Sequence, residues 1–195
     1  MPLFPPPQDP TGWSVTVNSR NTAVRSMHDV GLAAWFGGAL MGAIGLNGAA
    51  NEVTDPADRA RVASAGWGRW APVNAAAIGA HLIGGIGLIL GNRTRLAVHT
   101  GTRTNTIVKS ALTGVALAST AFSGWKGAQV AKAGKVAAEG GTIASELTPP
   151  DTAAAMQQLR IAQWVTPVVT AVLIVLGAQQ GEQQRPAQLL PALDK

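Results

Sequence analysis

Apolar residues in this chain gather into four long stretches divided by short polar ones. They run from about Val30 to Ala50, Ala71 to Gly91, Thr106 to Trp125 and Trp164 to Ala178. Most approach the 18 to 22 residues that cross roughly 30 Å of hydrocarbon at about 1.5 Å per helical residue. None carries an Asp, Glu, Lys or Arg deep in its interior. The pattern predicts an all-α protein, a four-helix transmembrane bundle with helices extended beyond the membrane on one side. Trp67, Trp70, Trp125 and Trp164 all fall at stretch ends on one side of such a bundle, as an interfacial aromatic belt does.

The stretches also repeat. Asn21-Thr22-Ala23-Val24-Arg25-Ser26 recurs as Asn105-Thr106-Ile107-Val108-Lys109-Ser110, and Glu52-Val53-Thr54-Asp55-Pro56 recurs as Glu146-Leu147-Thr148-Pro149-Pro150. Trp70 and Trp164 stand equally far beyond the second motif, and one insertion of ten residues between the motifs reconciles the copies. A duplicated two-helix hairpin is therefore expected, the copies related by about half a turn around the membrane normal. The organisation follows: a disordered Pro-rich tail over 1–20, a first hairpin over 21–92, a basic connecting loop over 93–104, a second hairpin over 105–178 and a disordered tail over 179–195.

Local signals refine the helices. Asp55-Pro56 reads as an N-cap followed by proline at the first helical position, and Gly66 and Gly68 as points where that helix breaks. Gly31, Gly38, Gly42 and Gly45 form a small-residue seam in the first stretch, and Ala76, Ala80 and Gly84 a matching stripe in the second. Lys126 to Gly141 reads as a helical prolongation into water. Pro167 falls one turn inside the last span, where a missing N–H does least harm.

Charge and composition narrow the function. Charged residues make up 13% of the chain, against about 25% in an ordinary soluble domain. The net charge of +5 lies in the polar segments and suits anionic lipid headgroups; no basic run or basic–aromatic alternation points to nucleic acid. With no cysteine, disulfides, iron–sulfur clusters and thiolate metal sites are excluded. The N-terminus lacks a basic segment followed by an apolar one, so the first span is expected to direct insertion. Basic residues weighted over short loops favour both termini on the cytoplasmic side of a bacterial membrane.

Candidate chemistry is sparse. His81 falls about ten residues into the second span, near mid-depth, and a buried ionisable group there is a functional candidate. The structural alternative, a neutral imidazole bonded to a neighbouring helix, is favoured by the cost of burying polar groups. His28 is expected at the interface on the opposite surface, which makes one metal or haem bridging the two awkward. Asp29 reads as the N-cap of the first span. Asn47 and Asn74, expected at similar depth, are read as a bridge between the first two helices. His99 reads as a solvated loop residue. No phosphate-binding loop, Ser-His-Asp arrangement or helical metal motif is present, so no cofactor and no catalytic residue is predicted.

The stretch His28-Asp29-Val30-Gly31-Leu32-Ala33-Ala34-Trp35-Phe36-Gly37-Gly38 resembles the opening of uncharacterised actinobacterial four-span membrane proteins. Over a dozen residues it is also similar to the opening of copper-resistance membrane proteins of the CopD type. That second resemblance implies copper handling, but only four methionines are present and no companion Met/His set follows. The expected function is a non-catalytic scaffold or accessory subunit of a membrane assembly, partnered by the bilayer and by another membrane protein or a second copy. A transporter or channel with a site between the repeats, lined by His81, Asn47 and Asn74, is the alternative.

Overall fold

The computed structural model describes residues 15–93 and 100–182. Expectations that rest on 1–14, 94–99 and 183–195, His99 included, lie outside the described residues. The protein is mostly helical, and four of its helices are long and apolar enough to cross a membrane: Thr22–Asn51, Pro56–Gly91, Arg103–Lys132 and Pro150–Gly181.

The first rod is α1 (Val15–Met41), a π turn (Gly42–Leu46) and α2 (Asn47–Asn51) end to end. It starts inside the stretch expected to be a tail, so Asp29 lies mid-helix and cannot be its N-cap. After a short turn comes α3 (Pro56–Gly91), begun by Asp55, whose Oδ1 accepts from the Ala57 N–H at 2.9 Å with Pro56 at the first position. Gly66 and Gly68 do not break it, and Pro72 also lies within it. Packing against α1 overrides local propensity there.

Next is α4 (Thr100–Lys132), which ends in Gly134 at φ +68°, a left-handed stop suited to glycine. The prolongation expected through Gly141 therefore stops at Lys132. A two-stranded antiparallel hairpin takes its place, β1 (Ala138–Gly140) with β2 (Ile143–Ala144), Ala138 opposite Ala144. Last comes α5 (Pro150–Glu182), running past the expected boundary at 178. Pro167 lies well inside α5 rather than in its first turn, so the Gln163 carbonyl loses its usual intrahelical donor. One turn on, the Thr170 hydroxyl donates to the Thr166 carbonyl at 2.7 Å.

Packing is pairwise. α1 lies antiparallel against α3, and α4 against α5; α1 then packs on α5, while α3 and α4 touch lightly. Two cores result. Leu32, Trp35, Ala116 and Leu173 form one inside the four helices, with Ile78, Leu112, Leu117 and Val169 around it. Ala60, Val130, Ala138, Ala155 and Met156 form the other, where the hairpin covers the helix ends as a small head. The hairpin is tied down by polar contacts as well. The Gly141 N–H donates to Asn51 Oδ1 at 3.1 Å, Arg59 Nη1 donates to the Glu139 carbonyl at 3.1 Å, and Lys135 pairs with Asp58 at 3.2 Å.

Candidate functional site at the crossing of α1 and α3

The sequence brings glycines to both sides of the α1–α3 contact, and the backbones approach until no side chain fits between them. A Cβ at Gly84 would fall on the His28 backbone, and one at Gly31 on the Ala77 carbonyl and the His81 N–H. The buried stripe of α3 is thus Ala77, His81 and Gly84, with a histidine between two small residues, rather than Ala76, Ala80 and Gly84, since Ala76 is exposed. Gly38 and Gly42 meet indoles instead, those of Trp70 and Trp67. Gly45 touches only Met41 of its own helix.

His28 and His81 meet at this crossing. Their rings stack with centroids 4.1 Å apart and planes 19° from parallel. His28 Nδ1 lies 3.0 Å from the His81 carbonyl, and His81 Nδ1 lies 3.1 Å from the His28 carbonyl. A carbonyl only accepts, so each Nδ1 carries a proton, and in the neutral form of either ring the lone pair sits on Nε2. The edge of Trp35 closes one side, 6.1 Å from His81.

His28 is therefore beside His81, not at the opposite surface. The error came from aligning the apolar stretches end to end. Instead α1 is slid along α3, so that Val24 packs on Gly87 and Gly42 lies under Trp67. The electrostatic surroundings are mixed: Asp29 and Arg25 of α1 both act on Lys109 of α4, whose ammonium donates to Gln180 of α5 at 3.1 Å.

The geometry limits the chemistry. Lone pairs held in near-parallel stacked planes do not converge, so the two Nε2 atoms cannot chelate one ion. Among the described residues no group of three or more His, Cys, Asp or Glu is placed to hold a metal.

Asn47 does link the first rod to α3, through Trp67, but Asn74 takes no part in that link. Asn47 Nδ2 donates to Gln163 Oε1 of α5 at 2.7 Å, and Asn47 Oδ1 accepts from Trp67 Nε1 at 3.1 Å. This buried layer separates the two cores. Asn74 lies further down α3, and its enclosed Oδ1 has no partner among the described residues. A second network escaped the sequence reading. Trp35 Nε1 donates to Thr120 Oγ1 at 3.1 Å, Thr120 meets Thr166 at 3.3 Å, Thr166 donates to Ser119 at 3.1 Å, and Ser119 donates to the Ala162 carbonyl at 3.1 Å. The signal was there: Gln163, Thr166 and Thr170 recur at helical spacing within the otherwise apolar last span.

Comparison with protein-family models, curated proteins and solved structures finds no match to this chain.

Proposed function

We propose that this chain is a small polytopic membrane protein without chemistry of its own, a scaffold or accessory subunit of a larger membrane assembly. The observation that carries this reading is how its buried polar groups are used. Asn47, Gln163 and Trp67 bond to one another, Ser119, Thr120 and Thr166 bond to one another, and the two histidines bond to each other's backbone. Such closed networks hold helices together. Trp35 and Leu173 fill the space between the helices where a transported solute would pass.

The outer surface supports the membrane part of this reading. Val168, Val172 and Val175 line one exposed face of α5, and Ile83, Ile86 and Leu90 one of α3. In water such patches are costly; in lipid, or against another membrane protein, they are not. Trp67 and Trp164 flank the Asn47–Gln163 layer, the level at which an aromatic belt would lie. On this placement the head stands outside the bilayer, a folded surface offered to a partner.

The same reading includes the duplication. An offset of 84 carries Asn21 onto Asn105 and one of 94 carries Trp70 onto Trp164. Under these offsets the bonded pair Lys109–Gln180 corresponds to Arg25–Ile86, the register in which Val24 packs on Gly87. The ten extra residues of the second copy fall where the β1–β2 hairpin is built. A head added to one of two copied hairpins accounts for both facts.

Purification of the tagged protein from its native membrane in mild detergent, followed by mass spectrometry, tests the scaffold role. The expected result is one large complex recovered in fixed stoichiometry. Recovery of the chain alone would overturn it. A second reading, a proton-coupled transporter, is favoured by one observation, the two Nε2 lone pairs of the His28–His81 stack. Proton flux in proteoliposomes that disappears in His81→Gln would establish that reading instead.

A further inference from the structure

We infer that the open cleft beside the contact of Trp67 and Trp70 of α3 with Gly42 and Gly38 is a binding site for one anionic phospholipid, an inference that rests on the membrane reading above. The cleft encloses about 330 Å³, within the range of about 300–1,000 Å³ typical of small-molecule sites. The indoles of Trp70 and Trp67 lie against Gly38 and Gly42, and together with Met41 and Leu46 they form its apolar walls. Met41 is 65% exposed, so the cleft opens sideways from the bundle, not into its core.

Arg69 also lines this cleft. It stands in sequence between the two tryptophans, is exposed, and has no ion-pair or hydrogen-bond partner among the described residues. A cation beside an otherwise apolar cleft selects a ligand that joins an anion to hydrocarbon. A phospholipid bearing net negative charge has that composition, and its phosphate would meet Arg69 while an acyl chain lies along Trp67 and Trp70. Guanidinium takes phosphate through paired donors, which a lone lysine cannot do. Lys126 provides the contrast: its ammonium is already engaged, 4.1 Å from the Trp125 ring centroid and donating to Gln129 Oε1 at 3.2 Å.

The first measurement is carbonate extraction of membranes containing the protein; release into the soluble fraction would overturn both the membrane reading and the lipid site. With the protein retained, native mass spectrometry would follow lipid adducts as phosphatidylglycerol or phosphatidylcholine of the same chain length is added. The expected result is a single phosphatidylglycerol held in preference to phosphatidylcholine. Arg69→Gln should weaken that adduct about tenfold, the scale of one charge-assisted hydrogen bond. Met41→Trp, which fills the cleft from its open side and keeps the charge, should weaken it too, while Lys126→Gln should not. Equal retention of the two lipids, an unchanged adduct in both cleft variants, or an equal loss in Lys126→Gln would overturn the site and leave the membrane reading standing.

Discussion

The α1–α3 pair and the α4–α5 pair hold two long helices together by different means. In the first pair, Gly31, Gly38, Gly42, Gly84 and Gly87 all face the partner helix, and the backbones close until histidine rings bond to carbonyls across the gap. In the second, Gly114, Gly124, Gly127 and Gly177 have nothing among the described residues within 4 Å of where a Cβ would stand, their own helix backbone aside. Hydroxyls do the joining there, through Ser119, Thr120 and Thr166. In a bilayer, lipid tails are as apolar as leucine, so helix association rests on close packing and on hydrogen bonds. The two pairs divide those two resources between them. The lesson is that glycine content alone does not identify a contact face: both pairs are glycine-bearing, and only one uses it.

The sharpest way to break this comparison is at the seam between the pairs. Trp35 belongs to α1, is fully buried, and reaches Thr120 of α4 beside Ala116 and Leu173. Trp35→Ala should cost about 3–5 kcal/mol, the usual price of emptying an aromatic site. It should lower the temperature at which the detergent-solubilised protein loses its monodisperse elution peak. A small shift would mean that the pairs are independent units and that the internal core contributes little.

Next in size is the test of glycine itself. Gly84→Leu forces atoms onto the His28 backbone, which has no rotamer to yield, and should cost about 1–3 kcal/mol or more. Gly114→Leu adds the same atoms to α4 where there is open space, so it should stay within about 0.5 kcal/mol. Thermal stability of both variants in one detergent decides the matter. Equal losses would show that both pairs depend on close glycine packing, and the contrast between them would fall.

The hydroxyl pair is tested by Thr166→Val, which preserves shape and removes a side chain bonded to both Ser119 and Thr120. Hydrogen bonds between membrane helices average about 0.6 kcal/mol and reach about 1.7. The variant should lose an amount in that range, and Thr113→Val, outside this network, should lose less. Identical melting curves would mean that the hydroxyl chain is incidental to α4–α5 packing.

What was legible in the sequence, and what was not, divides along physical lines. Four long apolar helices follow from composition and length, and the Asp55-Pro56 start of α3 from its capping chemistry. Axial register does not, because apolar stretches carry no mark of how far one helix slides along another. That is why His28 was placed far from His81, and Asn74 close to Asn47. The hairpin after Lys132 was missed because Ala and Lys around Gly134 favour helix locally, while burial of Ala138 against Ala60 and Met156 and the bonds with Asn51 and Arg59 that hold the hairpin are tertiary. Gln163 and the threonines of α5 were missed although their spacing was visible, since threonine in an apolar span reads as unremarkable until a partner is found.

A small expected effect falls on the residue with the strongest functional claim. In His81→Gln the amide N–H stands one bond further from the backbone than Nδ1 and has to fold back to meet the His28 carbonyl, which now accepts from His81 Nδ1 at 3.1 Å. The ring stack is lost, but the Gly31 and Gly84 approaches survive, so the cost should stay at about 1 kcal/mol. Recovery of the native complex should then be unchanged. His81→Leu removes the side-chain donor and leaves the His28 carbonyl with its intrahelical partner alone, which should cost about 0.5–1.5 kcal/mol for the bond and more for the lost ring packing. A ranking in which Gln is tolerated and Leu is not identifies a structural bond. If Gln folds and assembles like the parent yet abolishes proton flux or the activity of the purified complex, the Nε2 lone pair is what matters. The α1–α3 crossing would then be a working site built on close glycine packing, with the α4–α5 pair as its static counterpart.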